Sequence, residues 1–304
     1  INPAGLKSFA EELELDIADI DHDFSLPDVD LPSLAESDSD GTEVEVSAHT
    51  RTIGVTQEDE DAAKIQVQAE GRVKPGELWI LGNHRLLCGD STQVGDLERL
   101  CPTSKADMMF TDPPYGVDYD GGHFHSGDVN VKRSREKLAG DADTEIYRRF
   151  VPLVPKVVDG PCYTWFASTR CRTIMEAVEA VGELHALIIW HKVNATYAAM
   201  NAHYKQRHEP LLYWKPKGST LRWAGPTTEC TVWEEKRDGR NDLHPTQKPV
   251  ALALRAIGNH DVTTVLDLFA GSGSTLIAAE QLGKKCYAME INPHYCSVII
   301  ERWE

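Results

Sequence analysis

The sequence predicts an α/β fold, built on an open, doubly wound sheet with mostly parallel strands. Three observations carry that expectation. From Lys74 onward, short apolar runs alternate with stretches of helical periodicity. One stretch, "TTVLDLFAGSGSTLIAAEQLG" (263–283), reads strand, glycine turn and helix without a break. The apolar run "ADMMF" (106–110) leads straight into Asp112-Pro113-Pro114-Tyr115, where prolines forbid further strand pairing. Such a run delivers its polar end to a sheet edge.

Taken in order, residues 1–15 read as a short helix. Residues 16–62 are rich in Asp, Ser and Pro, with isolated apolar side chains, and read as linker. The whole chain carries a net charge of −17, but residues 1–50 hold fourteen Asp/Glu against Lys7 alone. Residues 73–304 are left near neutral. We therefore expect an acidic, irregular arm over 1–72 and a catalytic domain over 73–304. The chain opens without Met and in mid-pattern, which reads as a piece of something longer.

"GELWILGNHRLLCGDST" (76–92) reads as two strands around a Gly-Asn turn, and "QVGDLERLC" as a helix. A Gly/His-rich loop and a basic segment follow the Asp-Pro-Pro-Tyr stretch to about 142. "TEIYRRFVPLVPKVV" is helical with proline interruptions, "CYTWFA" a strand and "TRCRTIMEAVEAVG" a helix. "LHALIIWHKV" and "EPLLYWKPKG" are strands, whereas 216–243 looks irregular. "HPTQKPVALALRAIGNH" is a helix opened by proline. The last unit, "KKCYAMEINPHYCSVIIERW", is a strand and a helix capped by Asn292 with Pro293 at its first position.

Composition excludes several classes. No apolar run approaches the ~18–20 residues that span a bilayer, so no membrane role is expected. The seven cysteines (88, 101, 162, 171, 230, 286, 296) are scattered, with no C-x-x-C pair. That argues against a disulfide framework or a structural zinc site and for a reducing cytosol.

"VLDLFAGSGSTL" sets Gly271 and Gly273 between a strand and a helix, where backbone N–H groups can approach a ligand closely. Neither a dinucleotide fingerprint nor a phosphate loop fits, because residue 276 is Leu and no G-K-[ST] follows. Glu290 ends the next strand, where an acid binds the hydroxyls of a ribose. Ribose without phosphate points to a nucleoside, and S-adenosylmethionine fits.

At this point a family resemblance emerges. Asp267-Leu268-Phe269-Ala270-Gly271-Ser272-Gly273-Ser274 resembles motif I of amino-methyltransferases, "HPTQKP" (244–249) their motif X and Asp112-Pro113-Pro114-Tyr115 their motif IV. The order is the circularly permuted one of the β-class DNA amino-methyltransferases. The string "W-x-K … HEPLLYW … HPTQKP … GSGSTLIAAE" resembles bacterial and phage enzymes often fused behind a ParB-like domain, itself absent from this chain.

The resemblance implies a seven-stranded, Rossmann-like methyltransferase sheet. It also implies a cofactor site walled by Asp267, Phe269, Gly271, Ser272, Gly273 and Ser274, with Glu290 on the ribose. Asp90 and Ser91 would lie near the adenine, and Thr246, Gln247 and Lys248 at the methionine end, Lys248 meeting the carboxylate. A turn-capping role is the other reading of Asp90. The target-recognition region would span about 194–243, with Arg222, Trp223, Lys236, Arg237, Arg240 and Asn241 as candidates for DNA contact. Lys132, Arg133 and Arg135 are further candidates in the loop after Tyr115. Tyr204, His208 and Glu209 resemble a family cluster near the active site, a core role being the alternative.

An exocyclic adenine amine is a weak nucleophile because its lone pair is delocalised into the ring. Acceptors aimed at its N–H groups counter that, as preorganised electrostatics do in enzymes generally. The Asp112 carboxylate and the Pro113 carbonyl would each accept one hydrogen. Pro114 stiffens the turn without adding a donor, and Tyr115 would stack on a base flipped from the duplex. His123, His125, Asp120 and Asp128 are the residues from which a metal cluster would be built, but this chemistry needs none and no metal is expected. The expectation is a site-specific adenine-N6 methyltransferase acting on double-stranded DNA, with a homodimer or an N-terminal ParB-like partner. Cytosine-N4, where the family more often has Ser at the position of Asp112, RNA, a protein amide and a silent DNA-binding module are the rival readings.

Overall fold

The computed structural model describes residues 71–115, 145–193, 203–204, 206–236 and 248–304. Its strands are β1 (Leu78–Leu81), β2 (His84–Cys88), β3 (Met108–Thr111), β4 (Cys162–Trp165), β5 (Gly182–Lys192), β6 (His208–Pro216), β7 (Val232–Glu235), β8 (Thr264–Asp267) and β9 (Lys285–Glu290). They form one sheet in the order β1-β2-β9-β8-β3-β4-β6-β5-β7. The helices are α1 (Val94–Leu100), α2 (Ile146–Phe150), α3 (Val154–Val157), α4 (Cys171–Val181), α5 (Val250–Gly258), α6 (Ser274–Gln281) and α7 (Pro293–Trp303).

The sheet has nine strands among the described residues, not the seven that the resemblance implied. Both ends are extended. β1 pairs antiparallel to β2 as a hairpin. β7 lies in the stretch read as irregular and pairs parallel to β5, Trp190 opposite Trp233. β7 escaped the sequence reading because "VWEE" is short and half charged. Its strand character comes from the partner edge and from Trp233, which is buried.

Alternation of apolar side chains puts hydrophobic layers on both sheet faces. Met109 and Leu266 pack with Phe150, Val154 and Ile174 on one side. Met108, Phe110 and Val265 pack with Leu252, Ala256 and Ile257 of α5 on the other. Consecutive strand residues point to opposite faces, so a central strand must be apolar throughout. β3 is fully buried along its four residues. Each such large side chain contributes about 1.5–3 kcal/mol relative to exposure. Pro152 and Pro155 divide the 146–157 segment into α2, a 3₁₀ turn at Val151–Leu153 and α3, as the prolines in the sequence lead one to expect. Asn292 caps α7 by accepting the His294 N–H at 2.9 Å, with Pro293 at the first turn.

Strand direction decides what meets at the functional edge. β2, β9, β8, β3 and β4 are mutually parallel, so their C-terminal ends lie on one side. β6 runs antiparallel to β4 and β5 antiparallel to β6. The start of β6 and the end of β5 therefore return to that same side. Asp90, Glu290, Asp267, Asp112, Glu209 and Lys192 are collected there from six strands that are scattered along the chain.

Candidate active site

β3 ends at Thr111, and the two prolines that follow turn the backbone out of the sheet. Thr111 fastens this end to β8. Its hydroxyl donates to Asp267 Oδ1 at 2.8 Å and accepts the Leu268 N–H at 3.2 Å. The Phe269 N–H donates to the same Asp267 oxygen at 3.1 Å. Burial pushes the Asp267 carboxyl up to about 6, against hydrogen bonds from Thr275 and Thr111. The Asp-Pro-Pro-Tyr turn and the glycine loop thus share one hydrogen-bonded joint, although they are far apart in sequence.

The glycine loop has the geometry its composition predicts. Gly271 and Gly273 hold positive φ values of 53° and 89°, and Gly273 is the residue on which α6 begins. Glu290 accepts the Gly271 N–H at 2.8 Å and the Asn292 N–H at 2.9 Å. Burial pushes its carboxyl up to about 7, those two N–H groups pulling the other way. Ser274 Oγ donates to the Lys248 carbonyl at 3.0 Å, tying the loop to the segment before α5. The Ser272 carbonyl accepts from Arg302 at 2.5 Å. Asp90, one strand further along the edge, accepts from the Thr92 N–H at 2.9 Å and Thr92 Oγ1 at 2.8 Å. That is turn-capping geometry, the second of the two readings of Asp90. Ser91 beside it is buried.

Asp112 lies at the centre of a compact charge cluster. Lys248 Nζ is 2.6 Å from Asp112 Oδ2 and 3.0 Å from Glu209 Oε2. The Tyr115 hydroxyl donates to Asp112 Oδ1 at 2.8 Å and lies 3.2 Å from Glu209 Oε2. Lys192 pairs with the other Glu209 oxygen. The Lys248 ammonium also lies 5.3 Å from the Tyr115 ring centre and 5.2 Å from that of Trp165.

Burial raises the Asp112 carboxyl while the Lys248 ammonium opposes the rise. Burial works against the charge on Lys248, but Asp112 and Glu209 together raise it. These two effects pull the pair in opposite senses. The short contact and the two carboxylates around one ammonium favour the charged pair. Burial would raise Glu209 as well, yet Lys248 and Lys192 overcome it and hold that carboxyl at about 2. Desolvation first, then the Asp112 charge, pushes the Tyr115 phenol well above its usual range.

The remaining predicted residues divide in two. Lys236 directly follows β7, which ends beside Lys192 on the functional edge. Arg222 does not join the site. It pairs with Asp107 at 2.9 Å, just before β3 begins and hence at the opposite edge of the sheet. Trp223 beside it bridges to His260. Lys132, Arg133, Arg135, Arg237, Arg240, Asn241, Thr246 and Gln247 lie outside the described residues, as do His123 and His125. Among the described residues, no group of three or more acidic, His or Cys side chains is placed to hold a metal ion. None of the described helices is long and apolar enough to cross a membrane.

Lys192 carried no role in the sequence reading, and Glu209 carried only a family likeness. The signal was a lysine inside the apolar run "LIIWHKV" and an acid opening "EPLLYW". Their pairing depends on antiparallel register, Trp190 opposite Glu209, which composition does not reveal.

Comparison with known proteins agrees with this geometry. The family described as DNA methylase, of the N6/N4 type, matches residues 106–301. The Escherichia coli (strain K12) protein described as "Putative methylase YubD" is 30% identical over 216 residues, covering 69% of this chain and 86% of that protein. The type II methyltransferase M2.DpnII of Streptococcus pneumoniae is 25% identical over 239 residues, covering 68% and 85%. Among solved structures, an M1.HpyAVI–SAM complex superposes with a TM-score of 0.56 at 20% identity, covering 71% of this chain and 97% of that one. The cytosine-N4-specific PvuII DNA methyltransferase gives 0.55 at 16% identity, covering 77% and 90%.

Proposed function

Since the chain belongs to the N6/N4 DNA methylase family, we propose that it methylates the N6 amine of a flipped adenine in double-stranded DNA, with S-adenosylmethionine as donor. The observation that carries this reading is the Asp112 turn, held against the glycine loop by the Thr111–Asp267 hydrogen bond. An acceptor for an amine and a loop suited to a nucleoside are thereby joined side by side at the sheet edge.

The loop fits S-adenosylmethionine in its chemistry. It runs from Asp267 to Ser274 without a lysine or arginine that would select phosphate, and the Glu290 carboxyl stands at the end of β9 beside Gly271. A structural neighbour, M1.HpyAVI, has been solved as a SAM complex. When bound, the cofactor supplies a methyl group on a sulfonium. Phe269, Gly271 and Gly273 would wall it, with Glu290 on the ribose. The chain order, Asp112 turn before 244–249 before the glycine loop, is the permuted order of the β-class enzymes.

Asp112 and the Pro113 carbonyl would accept the two amine hydrogens, drawing the nitrogen toward tetrahedral geometry. The amine lone pair would then form the N–C bond, with the C–S electron pair staying on sulfur, and the surplus N–H proton would pass to solvent water after transfer. Asp112 rather than Ser at this position supports adenine over cytosine, and Tyr115 offers the face on which the base stacks.

The test is transfer of labelled methyl to duplex DNA by the wild type and by Asp112→Ala. Loss of a preorganised acceptor costs roughly 10²–10³ in rate, so Asp112→Ala should fall at least a hundredfold and still bind S-adenosylmethionine. An Asp112→Ala chain that methylates at the wild-type rate contradicts the reading. A wild type that transfers to no duplex favours a silent DNA-binding module.

A further inference from the structure

Both groups that cover the Asp112 carboxylate also touch Glu209. Lys248 Nζ bridges Asp112 Oδ2 and Glu209 Oε2 at 2.6 and 3.0 Å. The Tyr115 hydroxyl bridges Asp112 Oδ1 and the same Glu209 Oε2 at 2.8 and 3.2 Å. Each can leave Asp112 without losing its hydrogen-bond partner. Such a second acceptor is needed, because a buried ammonium stripped of its partner is strongly destabilised.

Leaving is also required by the chemistry. The attacking nitrogen gains positive charge as the methyl arrives, and an ammonium held on Asp112 cancels the carboxylate charge that should stabilise it. From this geometry we infer that Glu209 is a positioning residue, which takes up the Lys248 ammonium and the Tyr115 hydroxyl when the base enters and so frees Asp112 for the amine. Lys192 anchors the other Glu209 oxygen and keeps Oε2 turned toward the site. The four charges alternate in sign, Asp112, Lys248, Glu209, Lys192, so shifting Lys248 between carboxylates leaves the net charge of the cluster unchanged.

This inference rests on the proposed methyl transfer, and the experiment separates the two. Single-turnover methyl transfer to duplex DNA is measured at saturating S-adenosylmethionine for wild type, Glu209→Gln and Glu209→Asp, together with cofactor affinity. Glu209→Gln keeps the shape and removes the charge, so Lys248 stays on Asp112. Its transfer rate should fall tenfold or more with cofactor affinity within twofold, and Glu209→Asp should recover most of the loss. A Glu209→Gln rate within twofold of wild type overturns the inference and leaves the methyltransferase reading intact. So does a loss expressed wholly as weaker cofactor binding, or a Glu209→Asp as slow as Glu209→Gln. A wild type inactive on DNA removes both. If Glu209→Gln does not fold, the Glu209→Gln/Lys192→Met pair replaces one buried ion pair by a neutral one, which proteins often tolerate. That chain should fold and be slow, and a wild-type rate from it overturns the inference.

Discussion

Glu290 carries a carboxyl that titrates near neutrality because the protein removes it from water. Its folded value of about 7 lies above the ordinary 4.5, and that of Asp267, about 6, lies above 3.8. An acid whose folded value is raised holds its proton more tightly in the folded state. Its contribution to stability is complete below the unfolded value and is lost as pH rises through the folded one. The loss is about 1.4 kcal/mol for each pH unit separating the two values. The ligand-free protein should therefore lose thermal stability between about pH 4 and about pH 7. Glu290→Gln, neutral throughout, should flatten part of that fall in Tm. A Glu290→Gln profile parallel to wild type contradicts the assignment. Both acids were visible in the sequence, Glu290 at the end of the apolar run before Asn292-Pro293 and Asp267 at the head of the string that leads into the glycine turn. Glu209 and Lys192 carried too little sequence signal, since their meaning lies in a contact between two strands.

The strand–turn–helix unit of β8, the glycine loop and α6 owes its shape to two positive-φ glycines. A Cβ on Gly273 would meet Ile299 Cγ1 at 3.1 Å, and its φ of 89° is strained for any L side chain. Gly273→Ala should thus lower Tm, by an amount on the order of 1 kcal/mol or more in stability, and weaken S-adenosylmethionine binding more than the melting change accounts for. Calorimetry and cofactor titration on the same preparation check both, and unchanged cofactor affinity would count against this loop as the binding element. Periodicity located most elements, because buried strands and amphipathic helices must repeat their apolar residues. β7 was missed for the opposite reason. Four residues with two glutamates become a strand through pairing with β5 and the burial of Trp233.

At the scale of the molecule, function follows from direction. Parallel β2, β9, β8, β3 and β4, with β6 reversed and β5 running parallel to them again, bring the glycine loop, the Asp112 turn and the Lys248 cluster to one edge of a nine-stranded sheet. The motifs were legible as strings, and their order suggested the family, but the shared Thr111–Asp267 joint required the fold. Arg222 illustrates the limit of reading charge alone. It stood among the basic candidates for DNA contact, and the fold puts it at the far edge, paired with Asp107. The most direct test of adenine methylation is to express the chain in a host lacking DNA methylation and map modified bases in that host's DNA. N6-methyladenine is expected at one recurrent short sequence, absent with Asp112→Ala. N4-methylcytosine at that site, or unmodified DNA from an expressed and folded wild type, would contradict it.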